Sequence, residues 1–360
     1  MKQTCCRRPI VGAAVLAVTI GFCVAAQAQE PPRFEVDASW PKPLPETWVT
    51  GQLGGICIDN QDNVIVVNRR DITEEEKETS KQAPPIIKFD SAGNVAASWG
   101  EPHVVPRSIH GCIVDRDNNV WVAGNGDGII QKYGQDGKLL LQIGTRGKFD
   151  SADGTGKGPG LNASFTQFYN PAGMAIDPEN GDIYVADGYG NRRIAVFDRQ
   201  GKFLRQWGRQ ATPEEIEAGV GGAFAQVLHC IVMTKAGLIY ACDRQGDRVQ
   251  VFDKSGKFIK NIWIRTGTQK LPDPRGTAWW IDFSPDPDQT FMYVMNGRNE
   301  QVHILDHASG KIVSSFGRPG HQIGNFTHGH TLAVDSKGNI YVAETNWGRR
   351  VQKFRITDGQ

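Results

Sequence analysis

An internal repeat with a period of about 55 residues constrains this chain most, because a unit of four short strands can bury its faces only by stacking on copies of itself. The copies align on an aspartate, a turn glycine and an aromatic. His110-Gly111-Cys112-Ile113-Val114-Asp115 leads to Trp121, His229 leads at the same spacing to Tyr240, and His330 leads through Asp335 and Gly338 to Tyr341. Gly54 and Ala172 fill the histidine slot in two other copies, and the fifth passes near Trp279. A Phe/Tyr-x-x-x-Gly turn recurs at Phe89, Tyr133, Phe197 and Phe252, and a large apolar residue follows each turn glycine at Trp99, Ile143, Trp207 and Ile262. The third copy shows four β-type runs: Gly173–Asp177, Asp182–Asp187, Arg193–Asp198 and Lys202–Trp207. Six copies predict an all-β, six-bladed β-propeller, and 42 glycines and 19 prolines suit so turn-rich a fold.

The sixth copy ends after Phe354 without a fourth strand. Val36-Asp37-Ala38-Ser39-Trp40-Pro41 matches Val95-Ala96-Ala97-Ser98-Trp99-Gly100, so the N-terminal segment is expected to supply that strand and close the ring. Residues 1–28 read as a secretory signal: Lys2, Arg7 and Arg8, an apolar run from Ile10 to Ala26, and an Ala26-Gln27-Ala28 cleavage site. Retention of the run as an anchor is the alternative. Residues 29–360 then form one propeller domain, exported to a periplasmic or extracellular space, with no stable membrane insertion. Losing Lys2, Arg7 and Arg8 turns the formal charge from +1 to −2, which gives no electrostatic footprint for nucleic acid or a membrane surface. Cys57, Cys112, Cys230 and Cys242 remain, read as lying on inner strands, either as buried thiols or paired. They lack the spacing of metal ligands.

In a closed ring of six, alternate members lie about 120° apart, so His110, His229 and His330 can converge on the axis. Three imidazoles with no fourth protein ligand suit a catalytic zinc site, and imidazole also suits iron. His103, His303, His307, His321 and His328 read as structural. His328, two residues from His330, is the competing third ligand. The long segments 71–85, 145–170, 209–227, 264–278 and 318–328 are expected to wall a cleft over the histidines. Tyr189, Arg244 and one of Arg69 or Arg70 follow second strands and fall on that face. Two arginines there call for an anion, such as a substrate carboxylate. A tyrosine beside them is suited to act as a base. No HExxH, GxSxG or Walker pattern occurs, and Gly154-Thr155-Gly156-Lys157 reads as a flexible insertion.

Taken together, these residues resemble peptidyl-α-hydroxyglycine α-amidating lyase over nearly the whole chain after residue 28. The resemblance implies zinc on His110, His229 and His330, catalytic Tyr189 in Asp187-Gly188-Tyr189, and functional Arg244 in Cys242-Asp243-Arg244 and Arg69 in Asn68-Arg69-Arg70. It implies a metal-dependent lyase that splits the C–N bond of an N-acyl α-hydroxyglycine, a small molecule or peptide with a carboxylate, into an amide and glyoxylate. Thr331 replaces an aspartate that in the family helps hold a structural calcium, so calcium is not carried over. Gly190 replaces a family cysteine. The alternatives are a metal-dependent hydrolase or lactonase on the same scaffold, and a non-catalytic NHL-repeat binding module.

Overall fold

The computed structural model describes residue 1, residues 29–265 and residues 271–357. The leader expected over residues 1–28 therefore lies outside the described residues, apart from Met1. Within the compact unit Pro31–Gln360 the chain forms six four-stranded antiparallel sheets. Their inner strands are Leu53–Ile58, Ile109–Val114, Pro171–Ile176, Leu228–Met233, Ala278–Phe283 and Gly329–Val334. Each packs beside the next, and the inner strand of blade 6 lies beside that of blade 1. This is the six-bladed propeller.

The repeated residues have physical jobs. Asp115 Oδ1 accepts the N–H groups of Asp117 (3.0 Å) and Asn119 (2.9 Å), tying off the first hairpin of blade 2, while its Oδ2 accepts Trp121 Nε1–H at 2.9 Å. In blade 6, Asp335 does the same for Lys337 and Asn339 and accepts Tyr341 O–H at 3.1 Å. The aspartate-to-aromatic spacing is thus a turn and a brace in one. Second strands such as Val64–Asn68 and Ile183–Asp187 are buried throughout, because a blade is covered on both faces. Outer strands such as Val95–Trp99 alternate between covered and exposed.

The turn glycines join neighbouring blades. Gly137, Gly201 and Gly256 have φ of 79°, 84° and 93°, and a Cβ on them would lie 2.8 Å from Trp99, 3.0 Å from Ile143 and 2.6 Å from Trp207. Positive φ and close approach both require glycine there. Gly93 meets Trp40 in the same way, at 2.8 Å. The outermost strand of blade 6 is Arg33–Val36, paired with Val351–Thr357 from Arg33↔Thr357 to Val36↔Phe354. The strand thus ends where the sequence match with Val95–Gly100 begins. Ser39 N–H donates to Asp37 Oδ1 and Trp40 N–H to Asp37 O, and this turn drops the buried Trp40 ring against Phe89 (5.6 Å) and Tyr341 (4.9 Å).

Two disulfides settle what the cysteine spacing left open. Cys57–Cys112 joins the inner strands of blades 1 and 2, and Cys230–Cys242 joins the first two strands of blade 4. Cys242 lies on the second strand, Ile239–Asp243, not on an inner strand as read from the sequence.

Candidate metal centre

The second residue of each inner strand is, in blade order, Gly54, His110, Ala172, His229, Trp279 and His330. In every blade the pairing with the second strand slips just after the first residue, so this slot sits on a bulge. A bulge re-aims the side chain it carries. Buried carboxylates fix the chain entering each histidine slot. Asp127 accepts Arg107 N–H at 2.7 Å, Asp243 accepts Ala225 N–H at 2.8 Å, and Glu344 accepts Thr327 N–H at 2.7 Å. Each is clamped by an arginine: Arg107, Arg248 and Arg350. Burial still pushes the Asp243 carboxyl up, against the pull of Arg248.

The three imidazoles meet. Ring centroids of His110, His229 and His330 lie 4.7–5.0 Å apart, with planes 74–86° to one another. One nitrogen from each falls within 4.8 Å of the others, and among the described residues this group contains no carboxylate or thiol. His110 Nδ1 lies 2.8 Å from Ala172 O and His229 Nδ1 lies 2.6 Å from Trp279 O. A carbonyl only accepts, so both Nδ1 atoms carry the proton and both Nε2 atoms are left as acceptors. Ala172 and Trp279 occupy the histidine slot of the following blades. Two of the three slots between histidines therefore serve as backbone acceptors that orient the rings, Gly54 being the exception. Sequence reasoning missed them because a carbonyl leaves no residue-type signature.

All three rings are buried, and burial above all, with the neighbouring rings and the positive charge of Arg69 and Arg244 adding to it, holds their pKa values well below the usual histidine range. His229 Nε2 and His330 Nδ1 are buried without a hydrogen-bond partner. Neutral imidazoles with unused buried lone pairs fit a cation, and the all-nitrogen donor set suits zinc or iron.

Tyr189 O–H lies 3.1 Å from His110 Nε2. Its loop is pinned by Arg192, whose Nη1 donates to Gly188 O (2.9 Å) and Tyr189 O (3.0 Å). The sequence reading did not single out Arg192, which stands beside a second arginine, Arg193, that pairs with Asp187. Gly190 follows from packing: a Cβ there would fall 2.1 Å from the Tyr169 ring. Arg244 lies 4.9 Å from the Trp279 ring and 5.7 Å from the Tyr189 ring, with its Nε buried and unpartnered. Arg69 runs alongside blade 2, donating to Ile109 O (3.3 Å) and Gln52 Oε1 (3.0 Å), whereas Arg70 turns away to Ala83 O. His328 lies before the strand begins, so strand alternation does not align it with His330. It packs on the Trp279 ring at 5.3 Å and pairs with Asn346, outside the triangle.

Beneath the histidine layer, the third residues of the inner strands are Gly55, Gly111, Gly173, Cys230, Trp280 and Thr331. The single large residue is matched by glycines: the Trp280 ring tip would be 3.0 Å from a Cβ on Gly111 and 3.2 Å from one on Gly173. The indole thus spans the bore and separates the imidazoles from a rear cavity of about 180 Å³ lined by Ile56, Met174, Ile231, Asp282 and Leu332. The oxygens of Asp282 are taken by the Phe283 and Val334 N–H groups, at 2.8 and 3.0 Å, and Thr331 contributes a buried, unpartnered hydroxyl. No oxygen cage of the kind calcium requires is formed by these residues.

The chain is similar to several known proteins. An NHL repeat profile matches residues 168–197. NHL repeat-containing protein 3 of Mus musculus is 26% identical over 341 residues, covering 93% of this chain and 88% of its own. Peptidyl-alpha-hydroxyglycine alpha-amidating lyase 1 of Drosophila melanogaster is 28% identical over 331 residues, which are 84% of this chain and 57% of that one. The resemblance to the amidating lyases holds. A solved streptogramin B lyase, 13% identical, superposes with a TM-score of 0.54 over 90% of this chain and 98% of its own, a likeness of fold alone.

Proposed function

We propose that this chain is a metal-dependent C–N lyase that converts an N-acyl α-hydroxyglycine into a primary amide and glyoxylate. The observation that carries this reading is the buried triangle of neutral imidazoles with the Tyr189 hydroxyl on its edge and Arg69 and Arg244 beside it. His110, His229 and His330 would hold the metal, with zinc first and iron as the other candidate. When bound, it supplies Lewis acidity to the substrate's α-hydroxyl. Arg69 and Arg244 bind the substrate carboxylate and set its orientation. Tyr189 takes the hydroxyl proton, the C–N bonding pair leaves with nitrogen, and nitrogen is protonated to give the amide. A lactonase reading lacks the carboxylates such a site would use.

Among the described residues no helix is long and apolar enough to cross a membrane. The two disulfides favour an exported protein, in keeping with the leader read at residues 1–28. The test is direct. Purified protein should carry about one tightly held transition metal per chain and release glyoxylate and benzamide from α-hydroxyhippurate. Metal-loaded protein that leaves this carbinolamide intact overturns the lyase assignment.

A further inference from the structure

After Met1, no large apolar side chain among the described residues is more exposed than Trp347, at 84%. Exposed leucines and isoleucines such as Leu140, Leu204 and Ile259 lie on outer strands, at the rim of the ring. Trp347 instead follows the second strand of blade 6, Ile340–Glu344, and so belongs to the loop class that carries Arg69 in blade 1, Tyr189 in blade 3 and Arg244 in blade 4.

This loop is held at nearly every residue but Trp347. Thr345 N–H donates to His328 O at 3.0 Å, and Gly348 N–H donates back to Thr345 O at 2.9 Å. Asn346 pairs with His328 at 3.0 Å. Arg349 donates to Thr50 O and forms an ion pair with Glu76 at 2.8 Å. Asn346 and Arg349 sit at φ of 46° and 49°, a left-handed backbone that such anchoring sustains. A Cβ on Gly348 would lie 2.4 Å from the Glu344 side chain, so the turn is as tight as it can be. Thr345 Oγ1 also lies 2.9 Å from Gln52 Oε1 and 3.4 Å from Arg69 Nη1. The loop therefore abuts the arginine assigned to the substrate carboxylate. An amphipathic ring presented to water on a rigid mount is preorganised to be covered by a ligand.

We infer that Trp347 is a specificity-determining residue that stacks on the apolar acyl group of the substrate whose carboxylate Arg69 and Arg244 hold. The assignment rests on the N-acyl α-hydroxyglycine reading and adds its substrate class: aromatic or bulky aliphatic acyl groups over small ones. Because the side chain is exposed, replacing it leaves the core intact.

The experiment compares α-hydroxyhippurate with N-acetyl-α-hydroxyglycine in wild type and Trp347→Ala. The preference for the benzoyl substrate in kcat/KM should fall roughly tenfold, mostly through KM. An unchanged preference overturns the assignment. In parallel, hippurate, which lacks the hydroxyl and cannot react, is titrated against the intrinsic fluorescence of wild type and Trp347→Phe. Trp279 beside Arg244 reports binding in both proteins, so quenching larger in wild type than in Trp347→Phe sustains the indole as the acyl platform, and equal quenching in both, or none, overturns it. If neither carbinolamide turns over, the lyase reading falls and the titration alone decides the role of Trp347.

Discussion

His110 and His229 each commit one ring nitrogen to a backbone carbonyl and turn the other inward, and Tyr189 completes the set at 3.1 Å. The Tyr189 hydroxyl is within hydrogen-bond reach of His110 Nε2, so removal of the phenol oxygen tests that contact directly. Tyr189→Phe is expected to lower kcat for α-hydroxyhippurate by about 10²–10⁴-fold while leaving metal content unchanged, as read by turnover and elemental analysis. A loss of metal together with activity would make the tyrosine a structural support instead. At this scale the sequence was informative wherever a side chain does the work. The shared register to Trp121, Tyr240 and Tyr341 singles out the three histidines. The carbonyls of Ala172 and Trp279 were invisible, because any residue supplies one. The choice between Arg69 and Arg70 depended on which way each side chain leaves the loop, and spacing does not encode that.

Strands carry the next layer of argument. Each blade's hairpins were legible from the aspartate, glycine and aromatic positions, since those residues are the turn and its brace. The bulge under each histidine slot was not, because a slip in pairing changes no residue type. The same distinction explains His328, which a regular strand would place on the face of His330. Buried polar residues within strands also leave a thermodynamic trace. His303, on the third strand of blade 5, accepts from Asn296 Nδ2 at 2.8 Å, and burial pushes its pKa down to about 4. The folded state therefore binds fewer protons than the unfolded chain between pH 4 and the unfolded value near 6.5. The stability it contributes is fully present above about pH 6.5 and is lost as pH falls toward 4. His303→Gln should flatten this limb by about 1–3 kcal/mol, measured as urea-unfolding free energies at pH 7.5 and pH 4.5. An unchanged difference between the two pH values would place the ring in water.

At the scale of the whole molecule, the ring depends on five equivalent contacts between a turn glycine and a large apolar side chain of the preceding blade, from Trp40 on Gly93 to Ile262 on Gly310. Trp40 is the one whose chain segment comes from the opposite terminus, so it joins the start of the chain to blade 1 as Arg33–Val36 joins it to blade 6. Trp40→Ala should cost about 3–5 kcal/mol of unfolding free energy, and Trp40→Phe markedly less. A cost near that of an ordinary surface substitution would mean the ring holds without this contact. The sequence match located this residue correctly and misjudged only where the paired strand stops, because the turn at Asp37 is a local hydrogen-bonding event.

The indole of Trp280, reaching across to Gly111 and Gly173, makes the propeller a cup and not a pipe. For the lyase reaction proposed above, reactant and both products would share one mouth, and the fragment lodged deepest would depart last. Inhibition patterns would then report the order of exit.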